Sequence, residues 1–381
     1  MPRKKIYQLF MCLLLCLAAP AFAQGELNLD TLTQQAGKEL YTNPDKAIKL
    51  ALKIYDLSEG DTQHQIASLI IVSNGYFSLK KGKEAKKYAF KAIELAQTTN
   101  DYVNQVKLYG LLGNHYQVLK INDKARLYLN KAEEILQQHP MPPDMAYLKG
   151  NIYAVKGNSY KNDLDCDFAI TYFDKAINEF KHTQHKSAST NLRLVMVQKG
   201  FCLLEKQMPN EATAIFNEAI KNTSATQYYD TWVYAKIGLS KSLAQKQQYN
   251  LAIIQLTEAL NGSPKDGQVE IKNDLYRNLS DNYLKLDDLN NYRKYNSRYH
   301  ETLVKATANK EHSFNWLAND LTDDANEQLQ ATRTTYKIYA IAAAATGLVL
   351  LFLIAVAIKK NQKKAAALKQ QLFRKTLNSQ V

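Results

Sequence analysis

Six positions in this chain share one register and carry side chains able to touch a ligand: Asn74, Asn114, Asn158, Phe201, Lys241 and Asp281. Each follows a small residue, in turn Ser73, Gly113, Gly157, Gly200, Ser240 and Ser280. The first three are asparagines. An amide both donates and accepts hydrogen bonds, so a row of asparagines can hold an extended peptide backbone without reading its side chains. Asparagine is also common at such positions, and that reading stays open beside the first. Phe77, Gln117, Asn151 and Lys161 lie close to the same register. With Asn74, Asn114, Asn158 and Phe201 they make up the candidate ligand-binding set. Lys107 is an isolated basic residue nearby.

Other chemistry finds little support. The sequence has no Gly-x4-Gly-Lys-Ser/Thr phosphate loop, no Gly-x-Ser-x-Gly elbow and no His-Glu-x2-His zinc motif. His182 and His185 stand three apart in HTQH, with no cysteine or carboxylate beside them, and read as loop residues. The carboxylates show no inward pairing of the kind that acid–base catalysis needs. The expectation is a protein without catalytic residues, metal or cofactor.

The elements that position the asparagines are helices. From Tyr109 to Ile135, the residues Tyr109, Leu112, Gly113 and Tyr116 fall on one helical face. After Asn122-Asp123, a second stripe follows with Ala125, Leu129 and Ala132. Gly113 and Ala125 allow two antiparallel helices to approach closely, while the larger residues fill the remaining space. This is the tetratricopeptide pattern of large and small residues in a helix–turn–helix. Aligned on the Ala125 position, the units read Ala47, Ala85, Ala125, Ala169, Ala212, Ala252 and Tyr292, with spacings of 38, 40, 44, 43, 40 and 40. The predicted fold is all-α: a right-handed tetratricopeptide α-solenoid of about seven helix pairs over residues 24–300. A long helix and a single transmembrane helix follow. The third and fourth units match best, and the first and last are degenerate, as end units with one neighbour can be. Asn43-Pro44 and Pro209 suit helix starts, and QHPMPPD at 138–144 is the longest breaker cluster. In such a solenoid the position after the core glycine faces the groove lined by the first helix of each unit, which is where the asparagines fall.

The formal charge of +13 invites a nucleic-acid reading, and its distribution argues against one. Arg3, Lys4 and Lys5 open the chain without an acid, and residues 359–381 hold seven Lys and Arg without an acid, leaving the body at only +3. Residues 1–23 read as a secretory signal, with an apolar run from Leu9 to Leu17 and Ala21-Phe22-Ala23 before the expected cleavage. Cys166 and Cys202 remain after it, read as buried thiols, with a disulfide in an oxidising compartment as the minor alternative. Residues 301–335 keep a helical period, as a capping helix or a stalk. Residues 338–358 are 21 uncharged residues, enough to span a bilayer, inside an expected transmembrane segment at 336–358. KKNQKK follows at once, which places the tail at 359–381 in the cytoplasm and the repeats in the periplasm. The lysines of that tail suit anionic lipid head groups. Ala343 and Gly347 form a small-x3-small pair that could support a homodimer, and that chance also yields in an alanine-rich span.

Export signal, long-period repeats, one span and a basic tail together resemble the membrane-anchored tetratricopeptide regulators of Bacteroidetes-type bacteria. The stretch LYRNLSDNYLKLDDLNNYRKYNSRYHETL is similar to their last repeat leading into the stalk. The resemblance implies a periplasmic protein or peptide ligand, inner-membrane lipid around the span, and signal relay to a cytoplasmic helix-turn-helix or kinase output. No output domain is present over residues 359–381, so the resemblance implies either a shortened relative or a separate cytoplasmic output protein. The alternative is a non-signalling scaffold for an envelope complex.

Overall fold

A computed structural model describes residues 28–163, 165–221, 229–264 and 268–378. The expected signal at 1–23 lies outside these. Among the described residues the chain forms fourteen α-helices and one short 3-10 turn. They pair in chain order as α1 (Leu29–Glu39) with α2 (Pro44–Leu57), α3 (Thr62–Ser78) with α4 (Gly82–Thr98), and α5 (Tyr102–Val118) with α6 (Asn122–Gln138). After the turn at Pro143–Met145 come α7 (Tyr147–Asn162) with α8 (Cys166–Lys181) and α9 (Lys186–Glu205) with α10 (Pro209–Ile220). The last are α11 (Tyr229–Gln245) with α12 (Tyr249–Asn261), and α13 (Val269–Lys285) with the start of α14 (Leu289–Asn378). Each core alanine read from the sequence falls on the second helix of its pair.

Local chemistry sets the helix boundaries. Asn43, Asp61, Asp101 and Asp165 each accept a backbone N–H three residues on, capping α2, α3, α5 and α8. Five of the turns inside the pairs close the same way. Lys80, Lys120, Gln207, Gln247 and Asp287 take φ near +60°. The next residue's N–H then donates back five positions, as Lys81 to Tyr76 at 2.9 Å, Ile121 to Tyr116 at 2.9 Å and Gln248 to Leu243 at 2.9 Å. This is the Schellman stop, built here without glycine.

Within a pair the helices touch through small residues. A Cβ on Gly113 would meet Leu129 at 2.6 Å, and one on Gly157 would meet Phe173 at 2.6 Å. At two of the three serines that replace that glycine the hydroxyl is seen bonded: Ser73 Oγ donates to the Ala85 carbonyl at 2.8 Å, and Ser240 Oγ to the Ile237 carbonyl at 2.9 Å. A tyrosine triad recurs with identical spacing in three units. Tyr116 stacks on Tyr128 at 5.5 Å, Tyr160 on Tyr172 at 5.4 Å and Tyr283 on Tyr295 at 5.5 Å; Tyr109, Tyr153 and Tyr276 complete the sets. Cys166 and Cys202 are buried free thiols in one cluster with Phe173 and Phe180.

The chain divides into two compact units, one ending at Leu317 and the other starting at Ala318. The division falls inside α14, which also contains the boundaries expected at 300/301, 335/336 and 358/359. In the second unit, Leu329–Leu372 includes a stretch long and apolar enough to cross a membrane, and its side chains from Ile341 to Ile358 are almost all exposed.

Candidate functional site

The first unit carries a cavity of about 580 Å³ on the face formed by the first helices of successive pairs. Its walls come from α3, α5, α7 and α9. The helices supply it in a repeating way. On α5 the polar lining residues are Lys107 and Asn114, on α7 Asn151 and Asn158, and on α9 Asn191 and Gln198. Each pair is seven residues apart, two helical turns or about 10 Å along its helix. Between the two members of each pair the helix presents apolar or small residues: Gly110 and Leu111, Ala154 and Val155, Leu194 and Val195. The result is an apolar trough between two polar rows, Lys107–Asn151–Asn191 on one side and Asn114–Asn158–Gln198 on the other.

The rows differ in how far they are engaged. Asn191 Nδ2 donates to Asn151 Oδ1 at 2.8 Å, which orients both amides. Asn114 is exposed, and neither it nor Asn158 has a side-chain hydrogen bond to the described residues. Gln198 is held by Lys161, whose Nζ donates to Oε1 at 2.6 Å. Burial lowers the Lys107 pKa against the opposing charges of Asp101 and Asp144, and lowers that of Lys161 against Glu205.

Of the residues read from the sequence, Asn114, Asn151 and Asn158 line the cavity. Asn74 and Phe77 are turned to another task. His115, buried on α5, stacks on Phe77 with ring centroids 3.8 Å apart and bonds Asn74 Oδ1 at 3.2 Å. Burial pushes the His115 pKa down to about 3. The ring is therefore neutral, and its Nε2–H is the donor. Gln117 lies beyond the cavity, its carbonyl accepting from Asn162 Nδ2 at 3.4 Å. Phe201 packs edge-on to Phe216 at 5.4 Å and is flanked by Lys161 and Lys241 at 5.1 and 5.8 Å. Asn191 and Gln198 are the cavity residues that the register did not reveal. Their signal was the spacing: both stand 40 residues after Asn151 and Asn158.

The histidine pair at 182 and 185 closes helices. His182 Nδ1 lies 2.7 Å from the Asn178 carbonyl, and His185 caps α9 while stacking on Tyr147 at 3.8 Å.

No family model matches the sequence, and no curated protein matches it either. Solved structures do resemble the repeat region. A chain of the APC/C hetero-tetramer Cut9–Hcn1 has a TM-score of 0.51 at 19% identity, covering 66% of this chain and 43% of that one. The fold is a tetratricopeptide-type solenoid. Other solenoids show weaker likeness. NprR in complex with its cognate peptide NprX has a TM-score of 0.46 at 11% identity over 77% of this chain and 82% of that one. The signal transduction ATPase with a tetratricopeptide repeat sensor, PH0952 from Pyrococcus horikoshii, has a TM-score of 0.45 at 16% identity over 76% and 55%.

Proposed function

We propose that this chain is a membrane-anchored binding protein whose first-helix groove holds an extended peptide or a segment of a partner protein. The observation that carries the reading is the trough itself, with apolar walls and amides along both rims. A peptide lying across the three helices presents backbone N–H and C=O groups to the amide rows and apolar side chains to the trough. Three helices packed at 8–10 Å span about 20 Å, room for about six extended residues. Asn114 and Asn158 are the first contacts, because no bond to the described residues competes for their amides. The candidate span in α14 supports anchoring, and the basic run after it supports a cytoplasmic tail with the repeats on the outer side of the inner membrane. Relay of binding across the membrane belongs to the same reading, and a fixed scaffold for an envelope complex is its alternative.

The test uses the detergent-solubilised full chain against an unbiased pool of extended peptides. Retention of a peptide subset that Asn114→Ala with Asn158→Ala lowers by tenfold or more supports the groove. Unchanged retention by that double variant overturns it. Relay is read separately, by crosslinking through a cysteine placed at Ala343 with and without a retained peptide. A crosslinking yield that responds to peptide favours relay, and a constant yield favours the scaffold.

A further inference from the structure

The charges of the first helices are unbalanced in a way the fold does not require. Helices α3, α5 and α7 contain no Asp or Glu at all. Helix α9 has only its final residue, Glu205, and α11 only Asp230 in its first turn. The same helices carry nine Lys and Arg between α5 and α11. Four of those lysines are neutralised, each by an acid on a second helix: Lys149 by Glu179 at 2.8 Å, Lys156 by Glu133, Lys199 by Asp174 at 2.5 Å and Lys236 by Glu258 at 2.7 Å. Arg193 donates to the Ser189 carbonyl at 3.2 Å. Three cations on the groove side have no ion pair to the described residues: Lys107, Lys161 and Lys241. Lys107 lines the cavity at its α5 end. Lys161 bonds Gln198 at its α9 end, and together with Lys241 it flanks the Phe201 ring.

A half-buried ammonium without a counter-ion costs the folded chain, and a bound carboxylate offsets that cost. Burial lowers the pKa of Lys161 against an opposing pull from Glu205, with Lys241 adding a smaller lowering, and burial lowers that of Lys107 against Asp101 and Asp144. Lys107 lines one end of the trough; at the other, Lys161 stands behind the lining residue Gln198 and Lys241 beyond it across the Phe201 ring, and the lining between is mostly apolar. Resting on the peptide-binding reading above, we propose that the ligand is an acidic–apolar–acidic segment. Its apolar side chains fill the trough, one carboxylate meets Lys107, and the other meets Lys161 and Lys241. A neutral or basic segment leaves three cations facing an apolar wall, so the same imbalance that selects acid also rejects base.

Acetylated and amidated hexapeptide pools test this, each with four central positions drawn from Leu, Ile, Val, Phe and Ala. The ends are Asp/Asp, Asp/Asn, Asn/Asp, Asn/Asn or Lys/Lys, and one further Asn/Asn pool has a free C-terminal carboxylate. The full chain in detergent should retain the Asp/Asp pool at least about tenfold over Asn/Asn, with the single-acid pools between and Lys/Lys at background. Lys107→Gln should erase the preference for acid at one end only. Lys161→Gln with Lys241→Gln should erase it at the other, the preference being read within each variant as the ratio of its Asp/Asp to its Asn/Asn retention. Equal retention of Asp- and Asn-ended pools, or a preference for Lys, overturns the proposal and leaves the peptide reading standing. Retention of the free-carboxylate pool at the Asp/Asp level replaces the two side-chain acids by a chain end and overturns it too. No retention of any pool by a chain with intact helical circular dichroism overturns the peptide reading beneath it.

Discussion

The Nε2–H of His115 donates to Oδ1 of Asn74 across 3.2 Å, joining the inner faces of two neighbouring units. Asn74 and Asn114 occupy the same register, and this bond gives them opposite roles. Asn74→Ala leaves a buried imidazole N–H without its acceptor and should cost about 1–3 kcal/mol of stability. Asn114→Ala breaks no bond within the chain and should leave stability within about 0.5 kcal/mol. Urea titrations of the two variants separate these outcomes; equal losses would refute the division.

The same histidine makes stability depend on pH. Its folded pKa of about 3 lies below the ordinary histidine value of 6.5, and burial is the cause. A depressed histidine binds its proton more readily in the unfolded chain. Its neutral form therefore supports the fold fully above pH 6.5, and that support is lost as pH falls toward 3. Between pH 7.5 and pH 5 the expected loss is about 2 kcal/mol. His115→Phe should be less stable at pH 7.5, because the Asn74 bond goes, and flatter with pH over this window. Parallel melts at both pH values measure the slope.

Close approach at Gly113 and Gly157 leaves no room for a methyl group. Gly113→Ala drives a Cβ to 2.6 Å from Leu129 and 3.3 Å from the Ala125 carbonyl, and Gly157→Ala repeats the clash on Phe173. Each should cost about 1–3 kcal/mol. Gly37→Ala, on α1 with nothing within 4 Å of the added atom, should be neutral or stabilising by up to about 1 kcal/mol. Chemical denaturation of the three variants gives the comparison.

The left-handed turn residues offer the reverse change. Gln247 sits at φ 58°, where a Cβ is strained and glycine is not. Gln247→Gly should gain about 1 kcal/mol, and Gln247→Val should lose at least as much. A Gln247→Gly chain no more stable than the parent would show that its side chain contributes contacts outweighing the strain.

The repeat was legible in the sequence because packing has a fixed grammar. Gly113 with Ala125, and Gly157 with Ala169, mark the close contact of two helices wherever they occur. Ser73 and Ser240 read as imperfect glycines, and the structure shows why they suffice: each hydroxyl finds a carbonyl. The site was only partly legible. The register after the glycine led to Asn114 and Asn158, but it gave Asn74 the same role without knowing that His115, from the next unit, claims its oxygen. It also led to Phe201 on α9. That helix runs 20 residues, and its cavity amides Asn191 and Gln198 come before Gly200 rather than after it. A rule drawn from one helix does not survive a change in how the next one is set. The tyrosine triads are half visible as core residues, and their constant spacing marks the units that share them.

The cavity draws on the second to the fifth pairs, so one pair lies before it and two follow. In a linear array each unit leans only on its neighbours, and opening begins where a neighbour is missing. Fraying of α1 and α2, or of α13 with the start of α14, can therefore come and go while the trough keeps its walls. The outer pairs act as insulation, and the length of the array sets how quietly its centre can wait for a ligand.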